Sequence, residues 1–173
     1  CDIFGVQDVH AIENKYLNKV SRHVAKGSQK WITSKRYKCD GDNTQICLDA
    51  LREKGYQIIA TTPHNDSCLL QDFDVTKKSA FVFGVEAEGV SDYVKDNADG
   101  FLKIPMVGFT ESLNISVAAA IILQDVTTKL RMSGVEWQLT KEEKEILYFS
   151  WVKKTIKNVD KIEEHYFQNL KKE

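Results

Sequence analysis

Short apolar or alternating runs at 6–12, 31–37, 56–61, 80–83 and 101–104 have the length of β-strands, and the stretches between several of them carry apolar positions at helical spacing. A helix is predicted over 42–54, with Ile46, Leu48 and Leu51 apolar and Gly55 closing it. A short helix is predicted over 91–97. A long one, over 113–131, opens after a polar loop and runs through Ala118, Ala119 and Ala120, small enough for a closely packed, buried helix. Strands and helices in this order predict an α/β fold with a mostly parallel sheet and helices on both faces. Further on, Thr140 and Glu143 read as a capping box for a helix reaching about 157, and Ile162, Tyr166 and Leu170 share one side of a last helix over 159–170. One domain over 1–135 is expected, with a helical extension over 136–173 packed on it.

Composition narrows the function classes. The 173 residues, 42% apolar and 28% charged, suit one globular domain with its own core. No apolar run approaches the roughly twenty residues of a membrane span, and no signal-peptide pattern is visible, so a cytoplasmic protein is expected. Cys1, Cys39, Cys47 and Cys68 form no CxxC pair. They read as reduced thiols, with no metal site. The net charge is only −1, yet Lys15, Lys19, Arg22, Lys26, Lys30, Lys35, Arg36 and Lys38 fall in one stretch without an acidic residue. Such an excess suits a polyanion, with RNA the first candidate. A solvated basic loop and an acidic protein partner remain open on composition. Arg22, Lys26, Lys30, Lys35 and Arg36 are the leading RNA contacts, and Trp31 reads as a core residue.

Ligands of an open parallel sheet collect beyond the carboxyl ends of the strands, so the loops there matter most. Thr61, Thr62, Pro63 and His64 follow one strand, and Gly84-Val85-Glu86-Ala87-Glu88-Gly89 follows another. The third loop joins Ile104 and Pro105 to Ser112, Leu113 and Asn114, where short polar side chains meet the unpaired amides of a helix start. Glycines at 84 and 89 permit close backbone approach. The turn is neither GxGxxG nor a Walker loop, and its carboxylates would repel a polyphosphate, which disfavours nucleotide hydrolysis.

These loops, with the segment Lys26-Gly27-Ser28-Gln29-Lys30-Trp31, resemble the SPOUT superfamily of RNA methyltransferases and most closely its TrmH branch. Phe83 to Gly89 is similar to the family's motif 2, and Ile104-Pro105-Met106 through Ser112-Leu113-Asn114 to Ala118 is similar to motif 3. The Gly-Ser-x-Lys-Trp segment, the Ala60-Thr61-Thr62 strand end and Trp137-Gln138-Leu139-Thr140 favour the tRNA guanosine 2'-O-methyltransferases that modify the D-loop. The resemblance implies a deep C-terminal trefoil knot, S-adenosylmethionine as methyl donor and a homodimer formed through the knotted region. Cofactor contacts would come from Thr61, Thr62, Gly84, Glu86, Gly89, Ile104, Met106, Ser112, Leu113 and Asn114. Glu86, Asn114 and Ser112 would support catalysis.

In the family, the residue that handles the 2'-hydroxyl proton is an arginine in a pattern Asn-x-x-Ala-x-x-Arg, and the segment from Cys1 to Val6 resembles the stretch immediately after that arginine. The arginine is therefore expected upstream of Cys1, and the 173 residues as they stand are expected to transfer little or no methyl. Two family arginines late in the motif 3 helix bind RNA. Lys129 and Arg131 stand near those positions, displaced by one residue, a rotation of about 100° on a helix. A ribosomal RNA 2'-O-methyltransferase and a non-catalytic knotted RNA-binding module are the alternatives.

Overall fold

The strands and helices of the computed structural model, which describes residues 1–14, 27–63, 66–85, 88–110 and 112–170, follow the predicted order. The strands are β1 (Asp8–Ile12), β2 (Thr33–Tyr37), β3 (Gln57–Thr61), β4 (Cys68–Leu69), β5 (Ser79–Val82) and β6 (Gly100–Lys103). The helices are α1 (Asn43–Glu53), α2 (Asp92–Asn97), α3 (Ile115–Met132), α4 (Lys141–Thr155) and α5 (Val159–Leu170). Strands β1 and β2 pair in parallel as a small sheet. The other four form a second parallel sheet in the order β4-β6-β3-β5.

Period-two alternation explains how the larger sheet is covered. On β3, Ile58 joins Leu48 and Leu51 of α1, and Ala60 joins Val90 and Val94 beside and on α2. Ile59, between them, faces the opposite way, toward Leu70, Phe73, Leu102 and Ile122 of α3. Helices therefore lie on both faces. The short strand β4 is an addition to the sequence reading, which treated its surroundings as a polar loop; two residues show no alternation to detect.

Local chemistry sets the helix ends. Asp42 caps α1 by accepting from the Thr44 and Gln45 amides, Ser91 caps α2, and Asn114 caps α3. The capping box is formed as expected, with the Thr140 hydroxyl on the Glu143 amide and the Glu143 carboxylate on the Thr140 amide. Helix α3 departs from expectation in one respect. Only Ile122 and Leu123 of it are buried, while Ile115, Val117 and Ile121 are exposed. Trp31 is likewise 39% exposed and not a core residue.

The chain divides into two compact units, Cys1–Glu136 and Trp137–Glu173. The second holds α4 and α5, joined by an ion pair of 2.6 Å between Lys153 and Glu163. Tyr148, Phe149, Ile156 and Tyr166 of this unit are exposed, although their aromatic and aliphatic character predicted packing. All four cysteines are free thiols, and only Cys47 is buried.

Candidate functional site

Strands β6, β3 and β5 lie side by side, and the loops leaving their carboxyl ends wall a pocket of about 420 Å3. Thr61, Thr62 and Pro63 contribute from the first loop, Phe83, Gly84, Val85 and Gly89 from the second, and Ile104, Met106, Ser112 and Leu113 from the third. Asn114, Ala118 and Ile122, four residues apart along one face of α3, complete the wall together with Ile115.

Each loop is fixed by its own bonds. The Thr61 hydroxyl donates to the Val82 carbonyl at 2.9 Å, and the Thr62 amide to the Leu102 carbonyl at 3.1 Å, so the first loop is held to both neighbouring strands. In the second, Val85 and Gly89 exchange main-chain hydrogen bonds of 3.0 and 2.7 Å. That bridge presses the chain onto Gly84, where a Cβ would stand 1.9 Å from the Gly89 carbonyl carbon. No residue with a side chain fits there. Gly89 adopts φ 68°, which also favours glycine. In the third, Asn114 Oδ1 accepts from the Ser116 amide at 2.9 Å and from the Ser116 hydroxyl, so the cap is Asn114 and not Ser112.

The nine described residues expected at the cofactor, Thr61, Thr62, Gly84, Gly89, Ile104, Met106, Ser112, Leu113 and Asn114, are thus brought around one pocket. Glu86 lies outside the described residues. Sequence reasoning did not single out Phe83, Val85, Ile115, Ala118 or Ile122, although the strand alternation from Phe81 to Phe83 and the spacing of 118 and 122 from Asn114 carry the signal. It also passed over Lys103, the one titratable side chain among the described lining residues. Among the described residues, no group of three or more His, Cys, Asp or Glu could hold a metal ion, and no helix is long and apolar enough to cross a membrane.

The basic residues are scattered in their roles. Arg22 and Lys26 lie outside the described residues. Lys30 is exposed on a 3-10 turn, and Lys35 is exposed with its ammonium 5.1 Å from the Tyr37 ring centroid. Arg36, expected on RNA, instead forms a forked pair with the buried Glu13, at 2.5 Å from Nε and 2.9 Å from Nη2. The hydrogen bond to that carboxylate raises the guanidinium pKa. Lys129 is also turned onto its own chain, with Nζ 2.6 Å from the Leu70 carbonyl, 2.8 Å from that of Gln71 and 2.6 Å from Asp125. Arg131 donates to the Phe4 carbonyl at 3.1 Å. A basic side chain beside unpaired carbonyls satisfies them, which composition alone cannot distinguish from an RNA contact.

Comparison with known proteins gives this geometry its context. Residues 1–124 match the SpoU rRNA Methylase family. A Borreliella burgdorferi protein named tRNA (guanosine(18)-2'-O)-methyltransferase is 38% identical over 162 residues, 94% of this chain and 72% of its own. A Thermus thermophilus protein of the same name is 33% identical over 78% of this chain and 68% of its own. Among solved structures, the Aquifex aeolicus TrmH/SpoU tRNA modifying enzyme superposes with a TM-score of 0.76 at 31% identity, covering 91% of this chain and 80% of that one. AviRb from Streptomyces viridochromogenes, solved with AdoMet, shares the fold at 24% identity and a TM-score of 0.64, over 76% of this chain and 53% of its own. The chain belongs to the SpoU rRNA methylase family, in its TrmH branch.

Proposed function

We propose that the chain is an S-adenosylmethionine-dependent RNA ribose 2'-O-methyltransferase that acts on guanosine 18 of tRNA. The observation that carries this reading is the convergence of three strand-end loops on one pocket, in a chain similar along 94% of its length to a protein named for that activity. The pocket suits the donor. Its volume of about 420 Å3 falls within the ~300–1,000 Å3 usual for small-molecule sites. Ile104, Met106, Leu113 and Ile122 offer apolar surface for an adenine ring, and the glycines at 84 and 89 leave main-chain groups accessible.

When bound, S-adenosylmethionine supplies an electrophilic methyl carbon on a positively charged sulfur. The chain's own residues align the acceptor and exclude water from it. The apolar wall keeps solvent away, while Ser112 offers a hydroxyl to the entering ribose. Asn114 acts through the helix it caps, fixing where α3 begins and hence where Leu113 and Ser112 stand. Glu86 is assigned the orientation of the third loop. The 2'-hydroxyl must lose its proton as the new C–O bond forms, since a neutral hydroxyl is a weak nucleophile.

The knot and the homodimer belong to the same reading. The exposed apolar residues Ile115, Val117 and Ile121 on α3 support a second copy as their cover. The cytoplasm, where tRNA is matured, is the proposed location.

The test follows the methyl group. Labelled S-adenosylmethionine is incubated with the full chain and an unmodified tRNA transcript. Label is expected in RNA carrying guanosine 18 and absent from RNA carrying 2'-deoxyguanosine there. Label retained in the deoxy substrate, or placed on ribosomal RNA in preference to tRNA, overturns the proposal. Calorimetric titration with S-adenosylhomocysteine tests the pocket separately, and a folded chain that fails to bind it removes the pocket assignment.

A further inference from the structure

The third loop does more than line the pocket. Between Met106 and Ser112, which both touch the cavity, the chain turns outward, and Val107 and Phe109 are 105% and 107% exposed. Phe109 thus shows as much surface as in an isolated extended peptide. A Cβ placed on Gly108, between them, meets no described atom within 4 Å. The tip stands clear of the described chain at the side of the cavity.

A fully exposed phenylalanine gains nothing from the fold that carries it. Its place beside the pocket indicates what covers it. Resting on the methyltransferase reading above, a ribose brought to the pocket carries its own base and its two neighbours past this tip. Unpaired RNA bases are recognised largely by stacking on aromatic side chains, and such stacking needs no charge on the protein. The segment from Met106 to Thr110 carries none. We propose that Phe109, flanked by Val107, is a stacking platform for an unpaired base of the RNA substrate next to the methylated ribose. A second copy of this chain is the competing cover, but seated here it would crowd the opening that RNA has to reach.

The full chain is titrated with an unmodified tRNA transcript, and with S-adenosylhomocysteine as a control on folding and on the pocket. Phe109→Ala is expected to weaken tRNA binding about 5- to 150-fold, the range corresponding to about 1–3 kcal/mol per stacked base. Phe109→Leu keeps the bulk and loses the ring, so it is expected to fall with the alanine variant. Phe109→Trp should retain affinity, and its added fluorescence should be quenched by tRNA. All three should bind S-adenosylhomocysteine as the unaltered chain does.

Unchanged tRNA affinity in the alanine and leucine variants overturns the platform while leaving the methyltransferase reading intact. A leucine variant equal to the original reduces the contact to plain apolar burial and also overturns it. A change of molecular mass in sedimentation with Phe109→Ala assigns the tip to a protein contact instead. If the unaltered chain binds S-adenosylhomocysteine but no tRNA, the substrate reading fails first and the platform with it.

Discussion

The two sheets are held by different chemistry. In the four-stranded sheet, Ile58, Ala60 and Leu102 are wholly buried, and successive residues feed opposite cores. In the two-stranded sheet, four of the five residues of β2 are exposed, and polar pairs join the elements: Gln7 to Thr33, His10 to Tyr37, Glu13 to Arg36, and Asn14 to Thr44. The first depends on apolar area, which is indifferent to pH. The second depends on groups that titrate and on partners that must both be present. The pocket stands at the end of the apolar sheet, where its walls inherit a rigid base.

The largest effect is expected where that sheet meets the pocket. Gly84→Ala places a methyl group within bonding distance of the Gly89 backbone, so the second loop must open; S-adenosylhomocysteine binding should be lost in calorimetry while the far-ultraviolet spectrum persists. Leu102→Ala, in the core, should lower unfolding free energy by about 2–5 kcal/mol in urea, equally at acid and neutral pH. An effect that varied strongly with pH would break the comparison.

Smaller changes should mark the other sheet. Arg36→Met leaves the buried Glu13 carboxylate without its forked partner, lowering the unfolding midpoint, and Glu13→Gln added to it should recover part of the loss. Hydrogen exchange should quicken in β1 and β2 before β3. If both sheets quicken together, they are not separable.

The smallest effects are those of pH. Burial lowers the His10 pKa below its ordinary 6.5 despite Asp8, with Lys54 and Lys35 adding to the fall. The unfolded chain then holds more protons than the folded one, so stability is present above pH 6.5 and lost as pH falls through the folded value. Burial pushes the Tyr37 phenol up to about 12, helped by the adjacent Cys47. Its contribution is present below pH 10 and lost as pH rises from 10 toward 12. Urea titrations across pH should show both limbs; His10→Gln should flatten the acid one and Tyr37→Phe the alkaline one.

The same contrast explains how far the sequence was legible. Strands β3, β5 and β6 could be read because their apolar alternation reflects two buried faces, and the pocket residues came from loops at their ends. Arg36 and Lys129 were misread because a cation looks the same in sequence whether it serves RNA, a carboxylate 23 positions away or a carbonyl 59 positions away. Local pattern reports burial well and polar partnership poorly. The exposed face of α3 was hidden for a related reason, since an apolar residue does not declare which molecule covers it.

The strand order β4-β6-β3-β5 also has a consequence in time. Strand β6 separates β4 from β3, so β4 has no strand to pair with until residues 100–103 arrive. During synthesis, at about 5–20 residues per second, β3 and β5 can align first, while Cys68 and Leu69 wait with their main-chain groups facing water. Completion of this sheet is therefore a late, long-range insertion, and its rate is set by how fast a central strand finds the gap.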